Sequence, residues 1–207
     1  MRILGIDPGS SATGFGLVER RGGHVVHVAH GTLRPPRGRA LPDRLAFLYE
    51  ALSALLAERG PDCVAVERVF VAASPHAALV LGHARGVVLA AAAAAGVQVS
   101  EYAPAQIKRA AAGSGAADKP QVQAMVRRLL ALDEEPPRDA ADALAVALCH
   151  AQAGRLAALL GARATRRGAR RSGAHVPRPA LPIGAPATCA GGKLPRGSGR
   201  LVVRRLR

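Results

Sequence analysis

Apolar and polar positions at the start of the chain predict three consecutive β-strands. The segment Arg2 to Asp7 (RILGID) is apolar and ends on a carboxylate, and a Gly/Ser turn follows it. The segments Thr13 to Val18 and His24 to Thr32 are also rich in strand-forming residues, so the three together predict an antiparallel meander. Strict alternation along the third strand places His27 on the opposite face from the other two histidines, which argues against a histidine metal cluster.

Leucines at helical spacing predict an amphipathic helix from Leu41 to Arg59, which the dipeptide Gly60-Pro61 ends. Further along, Ser74-Pro75 is typical of a helix start. The remaining pattern predicts a strand, a long helix, a strand and three helices, over 63–66, 74–95, 97–102, 104–112, 120–132 and 139–153. This order favours an α/β fold whose meander is extended by parallel strands through helical crossovers.

The composition changes beyond Leu160, where glycine, alanine, arginine and proline dominate. Such a segment has too little apolar content to fold. We therefore predict one folded domain over residues 1–158 and a basic, disordered C-terminal tail over residues 159–207. A non-functional extension of the chain is an alternative explanation for the last part of this tail.

The net charge of +15 belongs mainly to this tail. All 14 acidic residues lie at or before Asp142, whereas 13 Lys or Arg residues and no acid follow from Arg155 onward. A nucleic-acid surface on the folded domain must therefore be a local patch. The three cysteines have no paired or metal-ligand spacing, which fits a reducing cytoplasm. The sequence shows neither a signal-peptide pattern nor an uninterrupted apolar run of membrane length, so we expect no membrane association.

Carboxylates stand at the ends of the predicted elements. Asp7 ends the first strand, Glu67 ends the strand CVAVE, and Asp139 and Asp142 share a face at the start of a helix. The first strand and the first parallel strand are commonly neighbours in a mixed sheet, which would bring Asp7 and Glu67 together. Converging carboxylates repel one another unless cations intervene, and oxygen ligands favour Mg²⁺ or Mn²⁺.

Each of these residues also has a simpler explanation. Asp139 and Asp142 would suit the positive end of a helix, Glu67 could pair with Arg68, and Asp7 could be a turn aspartate. Lysine is scarce, because the chain has three lysines in all, and two of them stand out. These two, Lys108 and Lys119, suit phosphate binding but also suit a solvated surface, and Phe70 suits either base stacking or the core.

Five motifs in order resemble the RuvC family of bacterial Holliday junction resolvases. They are LGIDPGSSATGFGLVE, VAVERVF, LGHARGVV, EYAPAQIKRAAAGSGAADKPQVQAMV and DAADALAVALCHA, and they cover about residues 1–155. The resemblance implies an RNase H-like fold, a mixed five-stranded sheet flanked by helices. It also implies an Mg²⁺-dependent endonuclease of homologous recombination and DNA repair, which resolves Holliday junctions by symmetric paired nicks in strands of like polarity.

The resemblance assigns roles to particular residues. It implies that the acidic residues bind two Mg²⁺ ions, with Mn²⁺ as a substitute, that the lysines lie near the scissile phosphate, and that an aromatic residue lies at the junction centre. In this chain these are Asp7, Glu67, Asp139 and Asp142 for the metal, Lys108 and Lys119 for the phosphate, and Phe70 for the junction. The implied partners are Holliday junction DNA, a second copy of the chain through the helix after Ser74, and the RuvA–RuvB branch-migration complex, in the cytoplasm with the nucleoid.

Two departures and two rival functions accompany this resemblance. Ser74 and Val80 stand where the family often has a polar amide and a basic residue, which affects the expected junction contacts. GIDPGS also resembles the first phosphate loop of actin, Hsp70 and sugar-kinase ATPases, but the chain lacks a second Asp-Gly-Gly phosphate loop and an adenosine motif. A non-catalytic junction-binding protein is the other rival, and four intact carboxylates argue against it.

Overall fold

One mixed β-sheet is the centre of the fold. The computed structural model describes residues 1–68, 74–168 and 201–204, with side chains in 1–68 and 74–153. Within these ranges the sheet has six strands in the order β5-β4-β1-β2-β3-β6. The strands are β1 Arg2–Asp7, β2 Thr13–Arg21, β3 His24–Leu33, β4 Cys63–Glu67, β5 Gln98–Tyr102 and β6 Leu201–Arg204.

The strand pairing confirms the predicted architecture. β1, β2 and β3 form the antiparallel meander, and β4 and β5 extend it as parallel strands next to β1. The sixth strand, β6, was not predicted and pairs antiparallel with β3. It falls in the segment 159–207 that the sequence predicts to be a disordered tail, and residues 169–200 lie outside the described chain. The domain division at residue 158 stays a prediction.

The helices begin within one residue of the predicted positions. They are α1 Leu41–Arg59, α2 Pro75–Ala94, α3 Pro104–Ala112, α4 Lys119–Leu129 and α5 Arg138–Gly168. Gly60 ends α1 in the left-handed conformation, with φ 51°. The amide of Ala77 donates to the Ser74 hydroxyl at 3.1 Å, which caps α2 as predicted. α5 continues 15 residues beyond the predicted end at residue 153.

The sheet has helices on both faces and a hydrophobic core on each. On one face, α1 and α2 cover residues such as Leu4, Ile6 and Phe15. On the other, α3, α4 and α5 cover residues such as Ile3 and Ala65. The alternation along β1 therefore directs consecutive side chains to different cores, and its middle residues, 3–6, are apolar because they are buried on both sides.

Glycines in β1 and β2 let α5 lie directly against the backbone of the sheet. A Cβ atom on Gly14 would clash with the carbonyl oxygen of Asp139, and one on Gly5 would clash with that of Ala143. A Cβ on Gly16 would lie 2.7 Å from the Leu144 side chain. Because no side chain separates the two elements, the start of α5 is held next to the end of β1.

A chain of hydrogen bonds holds the later part of α5 against β4 and β5. The Cys63 sulfur lies 3.3 Å from His150 Nε2, and the Tyr102 hydroxyl lies 2.8 Å from His150 Nδ1. Burial raises the pKa of the Cys63 thiol to about 11, so the thiol stays protonated at neutral pH. These contacts fix the helix along its length, and Cys63 is a buried core residue.

A β-bulge overturns the expectation about the strand histidines. Leu17 pairs with Ala29, but Val18 pairs with His27, so one residue of β3 is skipped. The skipped residue changes the alternation and brings His27 Nε2 to 2.9 Å from His30 Nδ1. The predicted position of His27 on the opposite face from His30 was therefore wrong. The bulge breaks the alternation, and its position cannot be read from the strand pattern.

α2 is long and apolar enough to span a membrane by length and composition. The sequence prediction concerned uninterrupted apolar runs, and α2 is not one because it contains Arg85. One side of α2, including Ala84 and Val88, is buried against the sheet, as in the core helix of a globular fold. The opposite side carries Leu79, whose side chain is 64% exposed.

We predict that Gly14→Ala destabilises the fold by about 3 kcal/mol or more, because the new methyl group must displace the backbone of α5. Urea denaturation followed by circular dichroism measures this change in the free energy of unfolding. Gly23→Ala is the matched control, since a Cβ there meets nothing within 4 Å. Equal stability of the two variants would show that α5 does not depend on the glycine at position 14.

Candidate active site

The ends of β1 and β4 bring Asp7 and Glu67 to the same edge of the sheet. The two strands are parallel neighbours, with Ile6 paired to Val66, so Asp7 and Glu67, the next residue of each strand, lie at the same level. This confirms the expected neighbourhood of the first strand and the first parallel strand. The glycine-mediated packing of α5 adds Asp142 to this edge.

A pocket of about 140 Å³ collects five of the predicted site residues. Asp7, Glu67 and Asp142 line it together with Lys108 and Lys119. Lys108 comes from α3 and Lys119 from the first turn of α4. The apolar remainder of the lining is Pro104, Ile107, Val122 and Ala145. The pocket therefore places three carboxylates opposite two ammonium groups.

Asp7 is the most strongly perturbed carboxyl group of the pocket. Its pKa is raised to about 7, first by burial and then by the negative charges of Asp142, Glu67 and Asp139, against the opposing effect of Lys119. All four predicted acidic residues therefore interact electrostatically at Asp7. A cation at this position would stabilise the ionised form.

Glu67 has a similar environment but is less strongly affected. Burial raises its pKa, as does the charge of Asp142, while Lys119 and Lys108 lower it. Its expected alternative partner, Arg68, lies instead 3.8 Å from Glu101 through Nε and Oε2. The Arg68 amide also donates to the Tyr102 carbonyl at 2.8 Å, which fixes the end of β4. Glu67 is therefore a pocket residue and not the partner of its neighbour.

Lys119 is directly paired with one of the pocket carboxylates. Its Nζ lies 3.3 Å from Asp142 Oδ2, and the Asp118 side chain caps α4 by accepting from the Gln121 amide at 2.8 Å. The lysine side chain is 64% exposed, so its ammonium group can also reach solvent or a ligand at the mouth of the pocket. The ion pair gives this lysine a partner among the pocket carboxylates, and its role at a phosphate stays a prediction.

Asp139 lies beside the pocket and does not line it. Its Oδ2 accepts a hydrogen bond from Arg34 Nη2 at 2.8 Å. Sequence reasoning missed Arg34, which follows the last residue of β3. Its position at a strand end on the same edge as Asp7 was the available signal, but the pairing with Asp139 depends on the packing of α5.

The donor chemistry of the pocket suits a hard divalent cation, because every candidate ligand is a carboxylate oxygen. Among the described residues, no three acidic, histidine or cysteine side chains are arranged as a ready-made metal site. Asp142 is paired with Lys119, and Asp139 is paired with Arg34. A cation bound by Asp142 and Asp139 would compete with these two ion pairs. Phe70 lies outside the described residues.

Comparison with known proteins assigns the family. The family model for the crossover junction endodeoxyribonuclease RuvC matches residues 3–150. The chain belongs to the RuvC family. The match covers every pocket residue named above, and it ends before the region of the predicted tail.

Curated RuvC relatives match most of their own length. The crossover junction endodeoxyribonuclease RuvC of Halorhodospira halophila is 56% identical over 150 residues, which are 72% of this chain and 89% of that protein. The RuvC of Syntrophomonas wolfei is 46% identical over 172 residues, which are 83% of this chain and all of that protein.

Solved structures confirm the predicted RNase H-like fold class. A structure of T. thermophilus RuvC in complex with a Holliday junction substrate matches with a TM-score of 0.72 and 37% identity, covering 76% of this chain and 96% of that one. The yeast mitochondrial Holliday junction resolvase Ydc2 matches with a TM-score of 0.59 at 15% identity, over 80% of this chain and 83% of that one, and shows the shared fold.

We predict that Asp7→Asn stabilises the metal-free protein at pH 8. The pKa of Asp7 rises on folding from 3.8 to about 7, so the folded state binds this proton more tightly than the unfolded state. The free energy of unfolding therefore falls as the pH rises through this interval. Three pKa units correspond to at most about 4 kcal/mol, and asparagine lacks this cost. Urea denaturation in EDTA at pH 4 and pH 8 measures the difference.

The same series includes Mg²⁺ and a control. Added Mg²⁺ is expected to stabilise the unmodified protein more than Asp7→Asn, because the variant lacks a ligand charge. Glu50→Gln removes an exposed carboxylate on α1 and is expected to change neither result. Two results would together contradict the proposed environment of Asp7. In these, Asp7→Asn is destabilising at pH 8, and Mg²⁺ stabilises the variant as much as it stabilises the unmodified protein.

Proposed function

We propose that this chain is a crossover junction endodeoxyribonuclease that resolves Holliday junctions by symmetric paired nicks in strands of like polarity, in homologous recombination and DNA repair. The observation that carries this proposal is the pocket in which Asp7, Glu67 and Asp142 face Lys108 and Lys119. This pocket lies on a fold that matches a RuvC structure in complex with a Holliday junction substrate.

Nucleases of this family depend on metal ions, and we propose Mg²⁺, as two ions, with Mn²⁺ as a substitute. Asp7 would be the central ligand, with Glu67, Asp139 and Asp142 around it, because it is the group on which the other three charges converge. When bound, such ions orient and acidify the attacking water and stabilise the leaving 3′ oxygen. The pocket carboxylates supply the negative charge that holds the ions beside the scissile phosphate.

The two lysines act on the phosphate in this proposal. Lys119 lies at the mouth of the pocket and is mostly exposed, so its ammonium group can leave Asp142 for a phosphate oxygen when Asp142 binds metal. Lys108 lines the same pocket from α3. Electrostatic donors of this kind typically contribute about 3–4 kcal/mol to transition-state stabilisation.

Symmetric cutting requires two active sites, and we propose that two copies of the chain associate through α2. The exposed side of this helix carries Leu79, Gly82, His83, Gly86 and Ala90, which recur at helical spacing. A Cβ on Gly82 or Gly86 would meet nothing within 4 Å, so these glycines do not serve packing inside one copy. Small residues beside an exposed leucine suit close helix-to-helix packing between copies.

Other parts of the proposal extend beyond the pocket. Phe70 would stack on an unpaired base at the junction centre, and the RuvA–RuvB complex would deliver the junction. The protein would act in the cytoplasm, with the nucleoid. The ATPase alternative requires a second phosphate loop, and the junction-binding alternative leaves the convergence of carboxylates at Asp7 without a role.

We predict that the protein cuts a synthetic four-way junction in Mg²⁺ and leaves a linear duplex of the same sequence intact. Asp7→Asn should retain junction binding and lose cleavage by more than about 100-fold, because it removes the central metal ligand. Gel electrophoresis of end-labelled strands measures cleavage, and EDTA should abolish it. ATP turnover would support the ATPase alternative, and junction binding without cleavage would support the non-catalytic binding protein. Normal cleavage by Asp7→Asn would contradict the role assigned to Asp7.

We predict that Leu79→Glu weakens self-association, because it places two carboxylates in the proposed α2 interface. Sedimentation velocity measures the shift from dimer to monomer, and nicking of a junction should become unpaired. Leu129→Glu is the matched control, since Leu129 is 44% exposed on α4, away from α2. A stable Leu79→Glu dimer would exclude α2 as the interface.

A further inference from the structure

Arg34 stands at the active-site edge of the sheet on the side away from Glu67. β1 and β3 are both antiparallel to β2, so they run in the same direction. Asp7 pairs with Gly14 and Leu33 pairs with Thr13, which puts Arg34 at the same edge as Asp7. Two strand spacings of about 4.8 Å separate the two strands, or roughly 10 Å.

The ion pair of Arg34 with Asp139 is not explained by stability alone. Arg34 Nη2 lies 2.8 Å from Asp139 Oδ2, and the two side chains are 57% and 31% exposed. Ion pairs this exposed contribute about 0–1 kcal/mol. The contact uses one of the five N–H donors of the guanidinium, and the exposure of the side chain leaves it accessible to a ligand outside the protein.

Positive groups therefore flank the carboxylates on both sides. Lys108 and Lys119 line the pocket next to Glu67 and Asp142, whereas Arg34 lies beyond Asp139 on the β3 side. A DNA strand that crosses the pocket would place one phosphate among the carboxylates and lysines. The phosphates before and after it in the strand would then lie on either side of the pocket. Arginine is the residue that binds phosphate oxygens in a planar, bidentate manner.

We propose that Arg34 is a substrate-binding residue whose guanidinium, aligned by Asp139, binds a phosphate next to the scissile one. This inference rests on the proposed nuclease function. It assigns Asp139 a second task. In the DNA-free protein the Asp139 carboxylate orients the Arg34 guanidinium, and when the strand binds, Arg34 contacts the phosphate and Asp139 loses this partner. Arg34 thereby links binding of the strand to release of a metal ligand.

The rival explanation is that Arg34 serves only to neutralise Asp139. The two explanations differ once the carboxylate is removed. If Arg34 only neutralises Asp139, its replacement has no consequence in a chain that carries Asp139→Asn. If Arg34 binds phosphate, its replacement weakens DNA binding in that chain as well.

The experiment measures binding of a labelled four-way junction by fluorescence anisotropy, in Mg²⁺ and over a range of salt concentrations. All variants carry Asp7→Asn, so that binding is measured without cleavage. Arg34→Gln should raise the Kd about tenfold and should reduce the slope of log K against log salt by about 0.9, the value for one phosphate contact. Arg34→Lys should restore the slope with part of the affinity.

Matched controls separate the inference from the function on which it rests. Arg37→Gln removes the same charge from an exposed arginine three residues away and should leave the salt slope near that of the parent. With Asp139→Asn added, Arg34→Gln should still weaken binding. Equal effects of Arg34→Gln and Arg37→Gln, or loss of the effect with Asp139→Asn, would overturn the inference. Failure of the unmodified protein to cut the junction would instead overturn the proposed function.

Discussion

The direct packing of α5 on the glycine backbone of β1 and β2 is the constraint on which the site depends. Gly5 and Gly14 leave room for the carbonyl groups of α5, so the helix axis lies close to the sheet. The first turns of that helix carry Asp139 and Asp142. Without this close approach, the carboxylates of α5 would stand a side-chain layer away from Asp7. The convergence of the carboxylates is therefore a consequence of backbone packing as well as of the acidic residues themselves.

This packing creates an electrostatic cost that positive groups offset. Burial and the negative charges of Asp142, Glu67 and Asp139 together raise the pKa of Asp7 to about 7. Lys119 compensates part of this charge at Asp142, and Arg34 does so at Asp139. A fold that holds its carboxylates this close favours binding of divalent cations, since each bound ion relieves repulsion that the protein alone leaves in place.

The sequence predicted the elements that local signals determine. The bounds of β1, α1 and α3 are those expected, because apolar spacing and residues such as Gly60 specify them directly. The convergence of Asp7 and Glu67 followed from their positions at strand ends and from the parallel neighbourhood of β1 and β4. Features that depend on long-range geometry were not predictable. The bulge that joins His27 to His30, the pairing of Arg34 with Asp139, and the addition of β6 require the sheet to be assembled first.

The origin of the charged groups has a consequence for how fast the site can respond to DNA. The carboxylates stand on β1, β4 and α5, whose relative positions are fixed by backbone packing and by the contacts of His150 with Cys63 and Tyr102. Two of the cationic groups, those of Lys119 and Arg34, stand on long, exposed side chains. Exposed side chains change rotamer within picoseconds to nanoseconds, whereas packed elements move together in microseconds or longer. In the proposed function, exchange of a carboxylate for a phosphate as the partner of Lys119 or Arg34 would therefore need side-chain rotation alone, without movement of the scaffold.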